Sequence, residues 1–144
     1  MLRVIVALAA LLLGCAEPVL PERAVIIVDV PRARLGLPGA SWTPSPADVL
    51  ALERGLEAYL TSRGELGLAG RWPRDWRQYT GIETEGGSRL VIGSFACRLD
   101  GPPELQRAFR EHWISVNDGG DCFFTVHWDA TRETFTALTK NGDA

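Results

Sequence analysis

The stretch Asp118-Gly119-Gly120-Asp121-Cys122-Phe123-Phe124-Thr125-Val126-His127-Trp128-Asp129, followed by a polar turn and Thr134-Phe135-Thr136-Ala137-Leu138, decides the fold. It reads as a turn, a strand, a second turn and a second strand. Cys122, Phe124, Val126 and Trp128 alternate with Phe123, Thr125 and His127, so one set faces a core and the other faces away. Aromatic and β-branched side chains suit such a half-buried pleated surface. Upstream, Arg89 to Cys97 forms a matching strand, with Val91, Phe95 and Cys97 on one face and Leu90, Ile92 and Ser94 on the other. Glu85-Gly86-Gly87-Ser88 is a hairpin turn that joins it to a weaker strand over Trp76 to Glu83. Gly101-Pro102-Pro103 breaks the chain, Glu104 to Arg110 is expected as a helical turn carrying Leu105 and Phe109, and Trp113 to Val116 as a short strand.

One helix precedes these strands. Ser45 is a good N-cap, Pro46 fits the first helical position, and Asp48 completes a capping-box pattern. Val49, Leu52, Leu56, Tyr59 and Leu60 make a single apolar stripe, with Glu53, Arg54 and Glu57 expected on the opposite face. Gly64 is a natural stop. Gly55, inside the helix, costs up to about 1 kcal/mol relative to Ala and would let the helix approach a sheet closely. Ala24 to Val30 is β-branched and ends at Pro31, which makes it either an added strand or an arm lying on the body; Pro31 to Thr43 and Glu65 to Asp75 read as loops. The expected class is α+β: one main helix packed across a curved antiparallel sheet of four to five strands, a cystatin-like or NTF2-like architecture that says little about function.

The chain has 144 residues, 46% hydrophobic and 23% charged, with net charge −3. Such a chain can bury a real core, and its charge argues against general nucleic-acid binding. After Met1-Leu2-Arg3, Val4 to Leu13 is an apolar run too short to span a bilayer and about right for a signal-peptide core. It ends in Leu12-Leu13-Gly14-Cys15, which resembles the lipobox of bacterial lipoproteins. That resemblance implies a signal peptide over 1–14, palmitate-type acylation of Cys15, a Pro-rich tether over 15–23 and one domain over 24–144. It also implies export to the bacterial cell envelope and a membrane partner held through the lipid. Ala16 in place of Asp after the lipidated Cys favours the outer over the inner membrane in a Gram-negative cell. Setting Cys15 aside leaves Cys97 and Cys122, and an exported pair suggests one disulfide rather than two buried thiols. Closing a loop of about 25 residues would stabilise the fold by roughly 3–4 kcal/mol in the chain-entropy model.

The mature part also resembles a loose set of small exported bacterial proteins without an assigned activity. The resemblance rests on Ala51-Leu52-Glu53, Tyr59-Leu60, Arg77-Gln78-Tyr79-Thr80-Gly81, Asp118 to Phe124 and Asn141-Gly142-Asp143-Ala144. It implies that Cys97, Cys122 and the Asn141-Gly142 turn are framework.

No catalytic centre, cofactor site or metal site is legible. Asn117 to Asp121 lacks the twelve-residue Ca²⁺ pattern and suits a hairpin turn. His112 and His127 have no nameable partner, Ser94 and Ser115 lie in no nucleophile elbow, and no phosphate loop is present. The expected contact surface is Arg71 to Arg77, in which Trp72, Arg74, Trp76 and Arg77 are residue types enriched at binding hot spots. The alternative is that both Trp cap the core. The expected function is therefore a membrane-tethered binding or interaction module, facing another envelope protein or polymer. A small envelope hydrolase, with a polar pocket between helix and sheet, is the competing expectation.

Overall fold

The computed structural model describes residues 16–99 and 101–141. Residues 1–14, expected as a signal peptide, Cys15 and Gly142-Asp143-Ala144 fall outside them.

The main helix, α2 (Pro46–Ser62), begins as its sequence dictates. The Ser45 hydroxyl accepts from the Asp48 amide at 3.2 Å, while the Asp48 carboxylate accepts from the Ser45 amide at 2.8 Å. It ends in a Schellman motif: the Glu65 amide donates to the Leu60 carbonyl and the Gly64 amide to Thr61, with Gly64 at φ 79°. Val49, Leu52, Leu56 and Leu60 are wholly buried against the sheet. Gly55 faces β6 without a side chain. A Cβ there would stand 3.2 Å from the ring of Phe135, which in turn stacks on Tyr59.

The sheet has six strands: β1 (Ala24–Ile26), β2 (Ala40–Trp42), β3 (Trp76–Glu83), β4 (Arg89–Ala96), β5 (Phe123–Asp129) and β6 (Thr134–Lys140). β3 to β6 form an antiparallel meander, as expected except that the expected strand over Trp113 to Val116 is not part of it. The outer edge of β3 is shared. β1 runs parallel to its first half, at Arg77 to Tyr79, and β2 runs antiparallel to its second half, at Gly81 to Glu83. So Ala24 starts an added strand, and the presumed loop from Pro31 to Thr43 contains both a short helix α1 (Arg32–Leu35) and β2. Three-residue strands carry too little periodicity to be read locally. β2 is set by packing instead: Trp42 lies where a Cβ on Gly81 would be, 2.5 Å from its ring. The presumed loop after α2 is likewise helical, as α3 (Leu66–Arg71) and a 3₁₀ turn (Trp72–Arg74).

Both faces of the sheet are covered. Tyr79, Val91, Phe95, Phe124, Val126 and Trp128 meet α2. On the other face Ile27, Val30, Ile82, Ile92 and Trp113 form a second, smaller core. Its cover is irregular chain that follows α4 (Pro103–Glu111). Trp113 to Val116, expected as a strand, has no strand partner among the described residues. Instead the buried Gln78 side chain holds it: Nε2 donates to the carbonyls of Phe109 and, at 2.6 Å, His112, while Oε1 accepts from the Ile114 amide at 2.9 Å. One side chain thus takes the backbone groups that a neighbouring strand would have taken. Cys97 and Cys122 form a disulfide across the start of β5, with Cα atoms 4.9 Å apart, beside a backbone bond from the Cys97 amide to the Cys122 carbonyl.

Candidate functional site

The structure divides the Arg71 to Arg77 stretch between interior and surface. Strand alternation turns Arg77 and Tyr79 towards α2. The Arg77 guanidinium, 3% exposed, lies 3.0 Å from the Glu53 carboxylate and donates to the Trp72 and Pro73 carbonyls at 3.2 and 2.8 Å. The Tyr79 hydroxyl donates to the same carboxylate at 2.7 Å. Burial, then the charge of Glu53, holds the Tyr79 phenol well above its usual range, so it remains a donor. Trp72 is buried too, edge-on to Phe95. These residues are part of the core. Glu53, expected on the solvent face of α2, belongs with them: it follows Val49 by four and precedes Leu56 by three, which puts it on the flank of the apolar stripe. Asp75, 2% exposed, is raised from 3.8 to about 6 by burial, against the pull of Arg71, Arg77 and Arg74.

Arg74 and Trp76 stay at the surface and gain two partners that lie far away in sequence. The Arg23 guanidinium sits 5.3 Å from the centroid of the Trp76 ring and that of Arg110 sits 5.7 Å from it, with Phe109 edge-on at 5.9 Å. Backbone carbonyls orient all three arginines: Arg23 donates to Arg74 at 2.7 Å, Arg110 to Glu22 at 3.2 Å, and Arg74 to Gly70 at 3.3 Å. Among the described residues, no carboxylate lies within 4 Å of Arg23, Arg74 or Arg110. The result is a half-buried indole flanked by cations that have no ion-pair partner within 4 Å among the described residues, on a chain that is net acidic. Sequence reasoning missed Arg23 and Arg110. The one local hint was Arg110 beside Phe109, a cation next to a residue that must be buried.

The opposite face of the sheet carries a second feature, a cleft of about 140 Å³. Ser94, Thr125 and His127 form its floor, Trp113 to Val116 one wall, and Arg34 and Leu35 of α1 another. Ser94 is opposite Thr125 and Ile92 is opposite His127, so Ser94 and His127 are diagonal neighbours. Diagonal Cβ atoms are about 7–8 Å apart, and no hydrogen bond joins this pair among the described residues. Burial lowers the His127 pKa and keeps the ring neutral near pH 7. His112 lines a neighbouring groove with Asp29 and Glu111. The Asn117 to Asp121 segment is a turn, with Gly119 and Gly120 at φ 127° and 54°, and Asp121 pairs with Lys140 at 3.5 Å. Among the described residues no three His, Cys, Asp or Glu side chains are placed to hold a metal ion, and no helix is long and apolar enough to cross a membrane.

No protein-family model matches the sequence, no curated protein matches it, and no solved structure matches the fold.

Proposed function

We propose that this chain is an envelope lipoprotein, anchored through acylated Cys15, whose folded domain is a non-enzymatic binding module. The observation that carries this is the Arg23–Trp76–Arg110 stack with Arg74 beside it. Trp offers contact area at small entropy cost, and Arg offers directional donors to carboxylates. The partner is an acidic envelope protein or polymer. The stack sits where the expected tether meets the body, since Arg23 directly precedes β1 and its carbonyl accepts from the Arg77 amide at 2.8 Å. The apolar run to Leu13 and the Gly14-Cys15 pair support export and lipidation, with the outer membrane favoured in a Gram-negative cell. The disulfide agrees with an oxidising compartment. A hydrolase has less support, because side chains fill the space between α2 and the sheet and the polar cleft lies on the other face.

Two measurements test this. Cys15→Ser should abolish lipid labelling and release the protein from the membrane fraction; labelling that persisted would end the lipoprotein assignment. Poly-glutamate binding should fall at least about tenfold in Arg23→Ala/Arg110→Ala, about 1.4 kcal/mol, with the melting temperature nearly unchanged. Unchanged binding would place the contact surface elsewhere.

A further inference from the structure

We propose that the cleft over β4 and β5 is a binding site for a small organic carboxylate, separate from the arginine–tryptophan surface and independent of the anchor. Three properties of the cleft specify this ligand.

The first is charge. Among the described residues, Arg34 is the one ionised group lining the cleft near pH 7, since His127 is neutral there and no described Asp or Glu lines it. Arg34 donates one N–H to the Trp113 carbonyl at 3.2 Å, which fixes the guanidinium at the mouth. Arg34 and Trp113 also line the neighbouring groove with Asp29 and Glu111, but neither carboxylate comes within 4 Å of Arg34. The site therefore selects an anion, and a planar guanidinium matches a carboxylate.

The second is unmet hydrogen-bonding capacity. Among the described residues, the hydroxyls of Ser94, Ser115 and Thr125 and the ring nitrogens of His127 make no hydrogen bond to the protein, although all four residues line the cleft. Ser94, Thr125 and His127 are half-buried and Ser115 is exposed, so water reaches these groups and a ligand would displace it. These can donate to a carboxylate that also meets Arg34.

The third is size and the apolar remainder. The cleft is open to solvent and mostly polar; at about 140 Å³ it has room for a body of benzene size, with Leu35, Ile92, Trp113 and Phe123 supplying the apolar part of its walls. The geometry points to a monocarboxylate with a compact body of benzene size. A dicarboxylate would bring a second charge that nothing in the cleft neutralises.

The test uses the full chain and three probes of one body: benzoate, benzyl alcohol and benzylammonium. Affinities come from equilibrium dialysis, and saturation-transfer NMR reports which ligand protons touch the protein. Benzoate should bind at least about tenfold more tightly than benzyl alcohol, and benzylammonium should not bind. Arg34→Met should remove the preference for benzoate. Ser94→Leu, which fills the floor, should abolish binding of both uncharged and anionic probes. Should either variant prove unfolded by circular dichroism, Ser115→Ala at the exposed wall gives the milder comparison, with a several-fold loss expected. Equal affinity for benzoate and benzyl alcohol, benzoate binding that survives both Arg34→Met and Ser94→Leu, or no binding up to about 10 mM would each overturn the proposal. Loss of lipid labelling or of poly-glutamate binding would leave these measurements unmoved, so this site and the proposed module function can fail separately.

Discussion

Replacing Gln78 by Leu would uncover how the irregular cover of the sheet is held. Leu approximates the volume and removes the amide. Three backbone groups then lose their partner: the Phe109 and His112 carbonyls and the Ile114 amide. The bond to Phe109 is buried, so that carbonyl should pay a desolvation penalty of about 1–3 kcal/mol when stranded. The other two are partly buried and water reaches them, at about 0.5–1.5 kcal/mol each. The expected loss is therefore about 2–6 kcal/mol in urea denaturation, a large share of a domain's total stability. Amide exchange localises it: protection at Ile114 should fall far more than at β4 or β5, because its acceptor is gone. Gln78→Glu should cost more near neutral pH, where a carboxylate would face two carbonyls, and recover on acidification as the protonated acid regains a donor. Stability within about 0.5 kcal/mol of wild type together with unchanged exchange at Ile114 would refute the idea that Gln78 straps this segment.

Two further outcomes follow from the buried charges. Because Asp75 is raised from 3.8 to about 6, the folded state holds its proton more tightly than the unfolded state between those values; stability from this group is present at low pH and is lost as pH rises through about 4 to 6, by at most about 3 kcal/mol. Asp75→Asn should flatten that part of the stability–pH curve, and urea melts from pH 4 to 7 showing identical slopes for both proteins would count against it. Glu53→Gln should destabilise by about 3–5 kcal/mol, since it strands the buried Arg77 charge, whereas Tyr79→Phe, which leaves the Glu53–Arg77 pair in place, should cost about 1–2 kcal/mol; the reverse order in denaturant melts would mean that the phenol, not the ion pair, organises this part of the core.

What the sequence determined by itself is what local periodicity and local chemistry encode. Ser45, Pro46 and Asp48 start α2, and its leucine stripe says which face is buried. The alternation of β4 and β5 says which side chains meet that face, and short turns set the β3–β4 and β5–β6 hairpins, whereas the direct pairing of β4 with β5 across the α4 connection did not follow from the sequence. The pairing of two cysteines after Cys15 is set aside follows from counting, and the structure joins Cys97 to Cys122. The tertiary structure alone decided the rest, because it depends on which distant segments become neighbours. β1 enters parallel to β3 over a three-residue register, and that pairing, together with the placement of α4, brings Arg23 and Arg110 to Trp76. Trp72 and Arg77, identical in kind to Trp76 and Arg74, went inside because a 3₁₀ turn and strand alternation aimed them at α2, where Glu53 gives Arg77 a counter-charge. The cleft exists because one buried amide, Gln78, holds a segment that no strand pairing claims. A Trp or Arg in sequence carries no mark of which fate it meets: burial of a polar or aromatic side chain is settled by the partner that waits for it, and that partner is supplied by topology rather than by neighbours along the chain.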